Sequence, residues 1–121
     1  MKTDIKKLKK LISPIAEKYG LEAVYLFGSQ ARGDATSKSD YDFYIKRGKL
    51  RGMFKLSGLF IDLKAVLGKE VDIVLAPIDN EEIDDYLIDG ITRDGILLYD
   101  ESNRKKRLRN YKENQEVLFE Y

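Results

Sequence analysis

The sequence predicts an α/β fold, more narrowly an α+β arrangement of a small mixed β-sheet flanked by helices. Apolar residues recur at helical spacing in two long segments, short β-prone runs stand between and after them, and glycines fall where most of these runs end. The expected order is helix, strand, short helix, strand, helix, strand, helix, strand, which layers helices on a sheet around one core. With 121 residues and 43% hydrophobic content, the chain has enough length and apolar material for a single such core.

From Thr3 to Tyr19, residues Ile5, Leu8, Leu11, Ile12, Ile15, Ala16 and Tyr19 recur at helical spacing. Pro14 removes a backbone donor, so the helix is expected to kink there, or to restart with Ser13 as its cap. Gly20 stops it. Leu21–Phe27 (LEAVYLF) reads as a strand, residues 33–39 (GDATSKS) as a polar turn, and Tyr41–Ile45 as the second strand. Met53–Leu67 fits a helix although Gly58 inside it costs about 1 kcal/mol relative to alanine. Val71–Ala76 (VDIVLA) is a third strand closed by Pro77. Asn80 can cap a helix over Glu81–Asp89, and Ile96–Tyr99 suits an edge strand. Residues 1–100 then make the domain, and 101–121 a charged, partly helical tail.

Composition removes several chemistries. There is no cysteine, hence no disulfide framework and no thiolate nucleophile or metal ligand. There is no histidine, which excludes Ser-His-Asp and Cys-His mechanisms and imidazole metal sites. A metal would have to be held by oxygen, which favours a hard cation such as Mg²⁺. Charge is balanced, 22 basic against 21 acidic residues, so any electrostatic steering comes from local patches. No apolar run approaches the ~20 residues that span a bilayer, and the basic N-terminus leads into no signal-type core. A soluble cytoplasmic protein without membrane contact is expected.

The chemistry concentrates in LFGSQARGDATSKSDYDFYI, residues 26–45. Asp40 and Asp42 are two apart on the predicted strand and so share a face with Tyr44, while Tyr41, Phe43 and Ile45 point the other way. Two carboxylates at roughly 6.6 Å repel by about 2–3 kcal/mol at an effective dielectric near 20. A divalent cation between them reverses that sign. Taken alone, a D-x-D pair is most often a solvated face. Asp72 adds a third carboxylate between Val71 and Ile73, where an ionised group is costly unless paired or metal-bound. If the two strands are neighbours, the three acids form one oxygen cluster.

Ahead of them, Gly28-Ser29-Gln30-Ala31-Arg32-Gly33 breaks a strand and turns into a short helix, a geometry whose leading N–H groups suit phosphate. Gly28 permits close backbone approach, the Ser29 hydroxyl can donate to phosphate, and Arg32 would brace the loop or the acidic strand. Neither a Walker loop nor a G-x-G-x-x-G fingerprint is present.

Taken jointly, G-S-x-A-R-G, S-D-x-D and the later Asp in VDIV resemble the minimal nucleotidyltransferase (MNT) branch of the DNA polymerase β-like superfamily, over roughly residues 3–99. The resemblance implies a polymerase β-like nucleotidyltransferase fold. It implies that Gly28 and Ser29 bind nucleotide phosphates, with Arg32 beside them, and that Asp40, Asp42 and Asp72 are catalytic metal ligands for two Mg²⁺ ions. By the same resemblance, one ion holds the triphosphate and the second acidifies an incoming hydroxyl, which attacks the α-phosphorus. MntA-type members pair with HEPN-domain toxins, so the expected activity is transfer of AMP from ATP to a tyrosine of a HEPN ribonuclease.

Two other readings stay open at this level. The chain could be a non-catalytic antitoxin that neutralises its partner by occlusion. Alternatively, RKKRLRNYK at residues 104–112 could bind nucleic acid through its cations and Tyr111. That run is balanced by Glu101, Glu113, Glu116 and Glu120, which favours a solvated tail. Base preference, acceptor and oligomeric state are not written in any motif.

Overall fold

A computed structural model describes residues 4–36, 39–76 and 93–103. The helix expected at 81–89 and the tail from 104 onward lie outside the described residues.

Helix α1 spans Ile5–Tyr19, and its first turn is capped by Asp4, whose carboxylate accepts from the Lys7 amide at 3.1 Å. The helix runs unbroken through Pro14, so the expected restart does not occur. Ser13 is no cap: its hydroxyl donates to the Lys9 carbonyl at 2.7 Å, a back-bond within the helix. Pro14 is exposed, so water can reach the Lys10 carbonyl that loses its helical donor.

Strand β1 covers Ala23–Phe27, helix α2 Ser29–Arg32, and strand β2 Tyr41–Lys46. Helix α3 spans Met53–Leu67, strand β3 Val71–Leu75 and strand β4 Ile96–Asp100. The sheet order is β3-β2-β1-β4, with β1 antiparallel to both neighbours and β2 parallel to β3. A parallel pair needs a crossover, and α3 supplies it. Among the described residues the last strand stands at the edge of the sheet, as expected.

Both long helices pack on one side of the sheet. Leu8, Ile12, Ile15 and Ala16 of α1 and Leu59 and Leu63 of α3 meet Val24, Leu26, Phe43, Ile45 and Val71. Each large side chain buried there contributes about 1.5–3 kcal/mol. Strand alternation therefore turns Tyr25, Asp42, Tyr44, Asp72 and Val74 to the opposite side, away from α1 and α3. That separation of faces places the acids.

Candidate functional site

Phe27 of β1 pairs with Asp42 of β2, and Asp42 pairs in parallel register with Asp72 of β3. Register partners in neighbouring strands project to the same side, with backbones about 4.8 Å apart. Asp42 and Asp72 thus converge, and strand alternation directs Asp40, one residue ahead of β2, to that side as well. Asp42 is half-buried, whereas Asp40 and Asp72 are exposed.

The electrostatics follow from this placement. Burial pushes the Asp42 carboxyl above the ordinary carboxylate value, and the negative charges of Asp72 and Asp40 push it further. A hydrogen bond shared with Asp72 acts in the same direction, and the Arg32 guanidinium acts weakly against it. Among the described residues, no three acids are drawn into a preformed set of metal ligands. With Asp40 exposed ahead of the strand and like charges repelling, the trio lies near one spot without closing on it.

Gly28 stands directly against this cluster. Its backbone, at φ 75° and ψ −157°, lies in a region that is essentially glycine's own. A Cβ built there would run into the Asp42 carboxylate and lie 3.2 Å from its Cγ. The missing side chain keeps an Asp42 oxygen uncovered on the turn side. This cradle, together with an all-oxygen donor set carrying mutual repulsion, fits a hard divalent cation.

After Gly28, the amides of Ala31 and Arg32 both donate to the Gly28 carbonyl at 3.1 Å. The four-residue helix therefore begins with Ser29 at its open end, where a short helix is expected. Arg32 is exposed, and its Nε donates to Asp34 at 3.2 Å. It braces the following turn while lending charge to Asp42.

Gln30 is the residue the sequence reading passed over. Only 4% exposed, it donates from Nε2 to the Ser39 carbonyl at 3.3 Å and so fixes the approach to Asp40. Its only sequence signal is its place between Ser29 and Arg32, where a buried amide cannot be told from a solvated one. A hollow of about 360 Å³ touches Gln30, but it is walled by Leu8, Leu11, Tyr41 and Val66 on the helical side of the sheet. The acids face the other side.

A mixed sheet that sets paired carboxylates beside a glycine-led turn belongs to a class of small domains that handle nucleotide phosphates. The family model for "Polymerase beta, Nucleotidyltransferase" matches residues 9–104. The chain belongs to this family and is a nucleotidyltransferase. A chain of Methanocaldococcus jannaschii provisionally named a protein adenylyltransferase is 37% identical over 71 residues, covering 59% of this chain and 76% of the relative. Among solved structures, a toxin–antitoxin complex with AMP-PNP contains a chain that superposes with a TM-score of 0.61 at 19% identity, covering 93% of this chain and 90% of that one. The complex of tri-AMPylated Shewanella oneidensis HEPN toxin with MNT antitoxin gives 0.51 at 19% identity, covering 96% and 87%. At those identities the two structures establish the shared fold.

Proposed function

We propose that the chain is an antitoxin that transfers AMP from ATP to a tyrosine hydroxyl of a HEPN-family ribonuclease, using Mg²⁺ held by Asp40, Asp42 and Asp72. The observation that carries this reading is the register of Asp42 with Asp72 under the bare backbone of Gly28. The name of the M. jannaschii relative and the AMP-PNP and AMPylated-toxin complexes of its fold neighbours support ATP as donor and a toxin as acceptor. Residues 1–100 are the part of the chain that carries the reaction. The reaction belongs in the cytoplasm, where ATP and the toxin are available; among the described residues no helix is long and apolar enough to cross a membrane.

The roles follow from placement. The Ser29 hydroxyl and the opening of α2 hold the triphosphate, which Gly28 lets lie close to Asp42. Gln30 keeps Asp40 in place, and Arg32 steadies the turn. The acceptor oxygen forms a bond to the α-phosphorus while the bond from the α-phosphorus to the α,β-bridging oxygen breaks, and that oxygen departs with pyrophosphate. The acceptor proton passes to Asp72, the exposed carboxylate on the edge strand. When bound, the metal neutralises the triphosphate and acidifies the acceptor hydroxyl, which explains why no histidine is needed.

Purified chain incubated with labelled ATP, Mg²⁺ and the toxin encoded beside it should transfer one or more labels to the toxin. The double variant Asp40→Asn with Asp42→Asn should transfer none. Absence of label from the wild type, or toxin neutralisation that survives in the double variant, would replace catalysis with occlusion.

A further inference from the structure

Helix α3 carries a second apolar face that the core does not use. Its inward side holds Leu56, Leu59, Leu63 and Leu67. On the outward side Phe54 is 93% exposed, Ile61 66% and Met53 76%. Phe54 and Ile61 are seven residues apart and so stack two turns along one stripe, with exposed Ser57 and Ala65 filling the positions between and beyond. An apolar ridge of this size on a helix whose other side is already buried is the mark of an interaction surface.

The charges around the ridge say what kind of partner fits. Its acids are already engaged: Asp62 accepts from Lys18 at 2.8 Å, and Glu70 pairs with Lys64 at 3.2 Å. Lys49 and Lys55 line a hollow of about 370 Å³ next to the start of the ridge, together with Lys18, Tyr19, Gly20 and a single acid, Glu17, so cations outnumber carboxylates there. Among the described residues no ion pair satisfies either lysine. A second copy would bring the same cations to the same edge, so self-association is electrostatically disfavoured.

We infer that the Met53–Phe54–Ile61 ridge docks the toxin through an apolar helix face edged with carboxylates, which pair with Lys49 and Lys55. This inference rests on the proposed function for the identity of the partner. The ridge lies on the helical side of the sheet and the acids on the other. Docking thus tethers the toxin without covering the carboxylates, and raises the local concentration of its acceptor hydroxyl. Phe54 is the anchor, and the lysines set orientation and rate of encounter.

The test compares wild type, Phe54→Asp, Ile61→Asp and the pair Lys49→Glu with Lys55→Glu. Each is measured for toxin affinity by calorimetry at low and high salt, for AMP-PNP binding, and for thermal stability alone. Phe54→Asp and Ile61→Asp should weaken toxin binding at least about tenfold, the factor expected for an interface anchor. They should leave AMP-PNP affinity and the Tm of the isolated chain unchanged. The lysine pair should weaken toxin binding at low salt and flatten its salt dependence. A wild-type chain that does not bind the toxin overturns the proposed function itself. A wild-type chain that binds while Phe54→Asp binds equally overturns only the docking surface. It is also overturned if Phe54→Asp breaks a homodimer, or if it lowers the Tm of the isolated chain, since the ridge would then be covered by a second copy or by the chain itself.

Discussion

The Gly28 backbone presses against the Asp42 side chain, so closely that the smallest added carbon would overlap the carboxylate. Gly28→Ala therefore meets two penalties: a φ of 75° that L side chains rarely adopt, and displacement of Asp42. We expect a loss of about 1–3 kcal/mol in stability from the strained backbone. We expect transfer to fall on the order of a hundredfold from the shifted carboxylate. Urea unfolding and label transfer measure the two effects. In an Asp42→Ala background the stability penalty of Gly28→Ala should shrink, because only the backbone strain is left. An unchanged penalty would mean that the two residues do not oppose one another.

Asp62 gives the acid side of the stability profile. Its Oδ2 accepts from Lys18 Nζ at 2.8 Å and from Tyr19 Oη at 2.7 Å, tying α3 to the end of α1. The Lys18 hydrogen bond, then the Tyr19 one, hold this carboxyl below its ordinary value of 3.8. A depressed carboxylate stabilises the fold above its unfolded pKa, and that contribution is lost as pH falls through the folded one. Asp62→Asn should lower Tm at neutral pH, and the gap to wild type should close as the solution is acidified below the ordinary carboxylate range. A gap that persists undiminished in strong acid would assign the effect to shape rather than charge.

Periodicity and punctuation carried most of the fold. Helix α3 begins and ends where Gly52 and Gly68 place it, and β2 exceeds the expected strand by one residue, Lys46. Pro14 misled because sequence shows the lost donor but not that the residue faces water, where the loss is small. The three acids were legible as residue types. The pairing of two of them was not, since the register of Asp42 with Asp72 is set by how α3 returns the chain and by the packing of Val71 and Phe43. Gln30 escaped because burial, not identity, sets it against the Ser39 carbonyl beside the candidate site.

Gly58 looked like a defect in α3, and the structure gives it a purpose. A Cβ at this position would sit 2.7 Å from the Tyr19 hydroxyl, while the ring carbons of Tyr19 lie at a comfortable 3.6 Å. Gly58→Ala gains about 1 kcal/mol of helix propensity but must dislodge the hydroxyl from Asp62. In the wild-type background the substitution should be neutral or destabilising. Combined with Tyr19→Phe, which removes the obstructing oxygen, the same substitution should stabilise by up to about 1 kcal/mol. Chemical denaturation of the four chains checks the reversal of sign. The same effect in both backgrounds would leave Gly58 without this role.

The Asp42 carboxylate lowers the stability of the fold, a cost that the proposed cation site would offset. Asp42 is half-buried beside two like charges, and its raised pKa means that the folded state resists its ionisation. Because the folded pKa lies above the unfolded one, the destabilisation appears as pH rises past the ordinary carboxylate range and persists at neutrality. Asp42→Asn keeps the shape and removes the charge. In the presence of a chelator it should therefore raise stability, because it removes first the cost of burying the charge and then the repulsion from Asp72 and Asp40. Added Mg²⁺ should raise the Tm of wild type and have little effect on the variant, since a cation stabilises only the state that binds it. Thermal unfolding with chelator and with Mg²⁺ separates the cases. If the variant is the less stable protein without metal, or if Mg²⁺ shifts both chains alike, the acids are not a cation site.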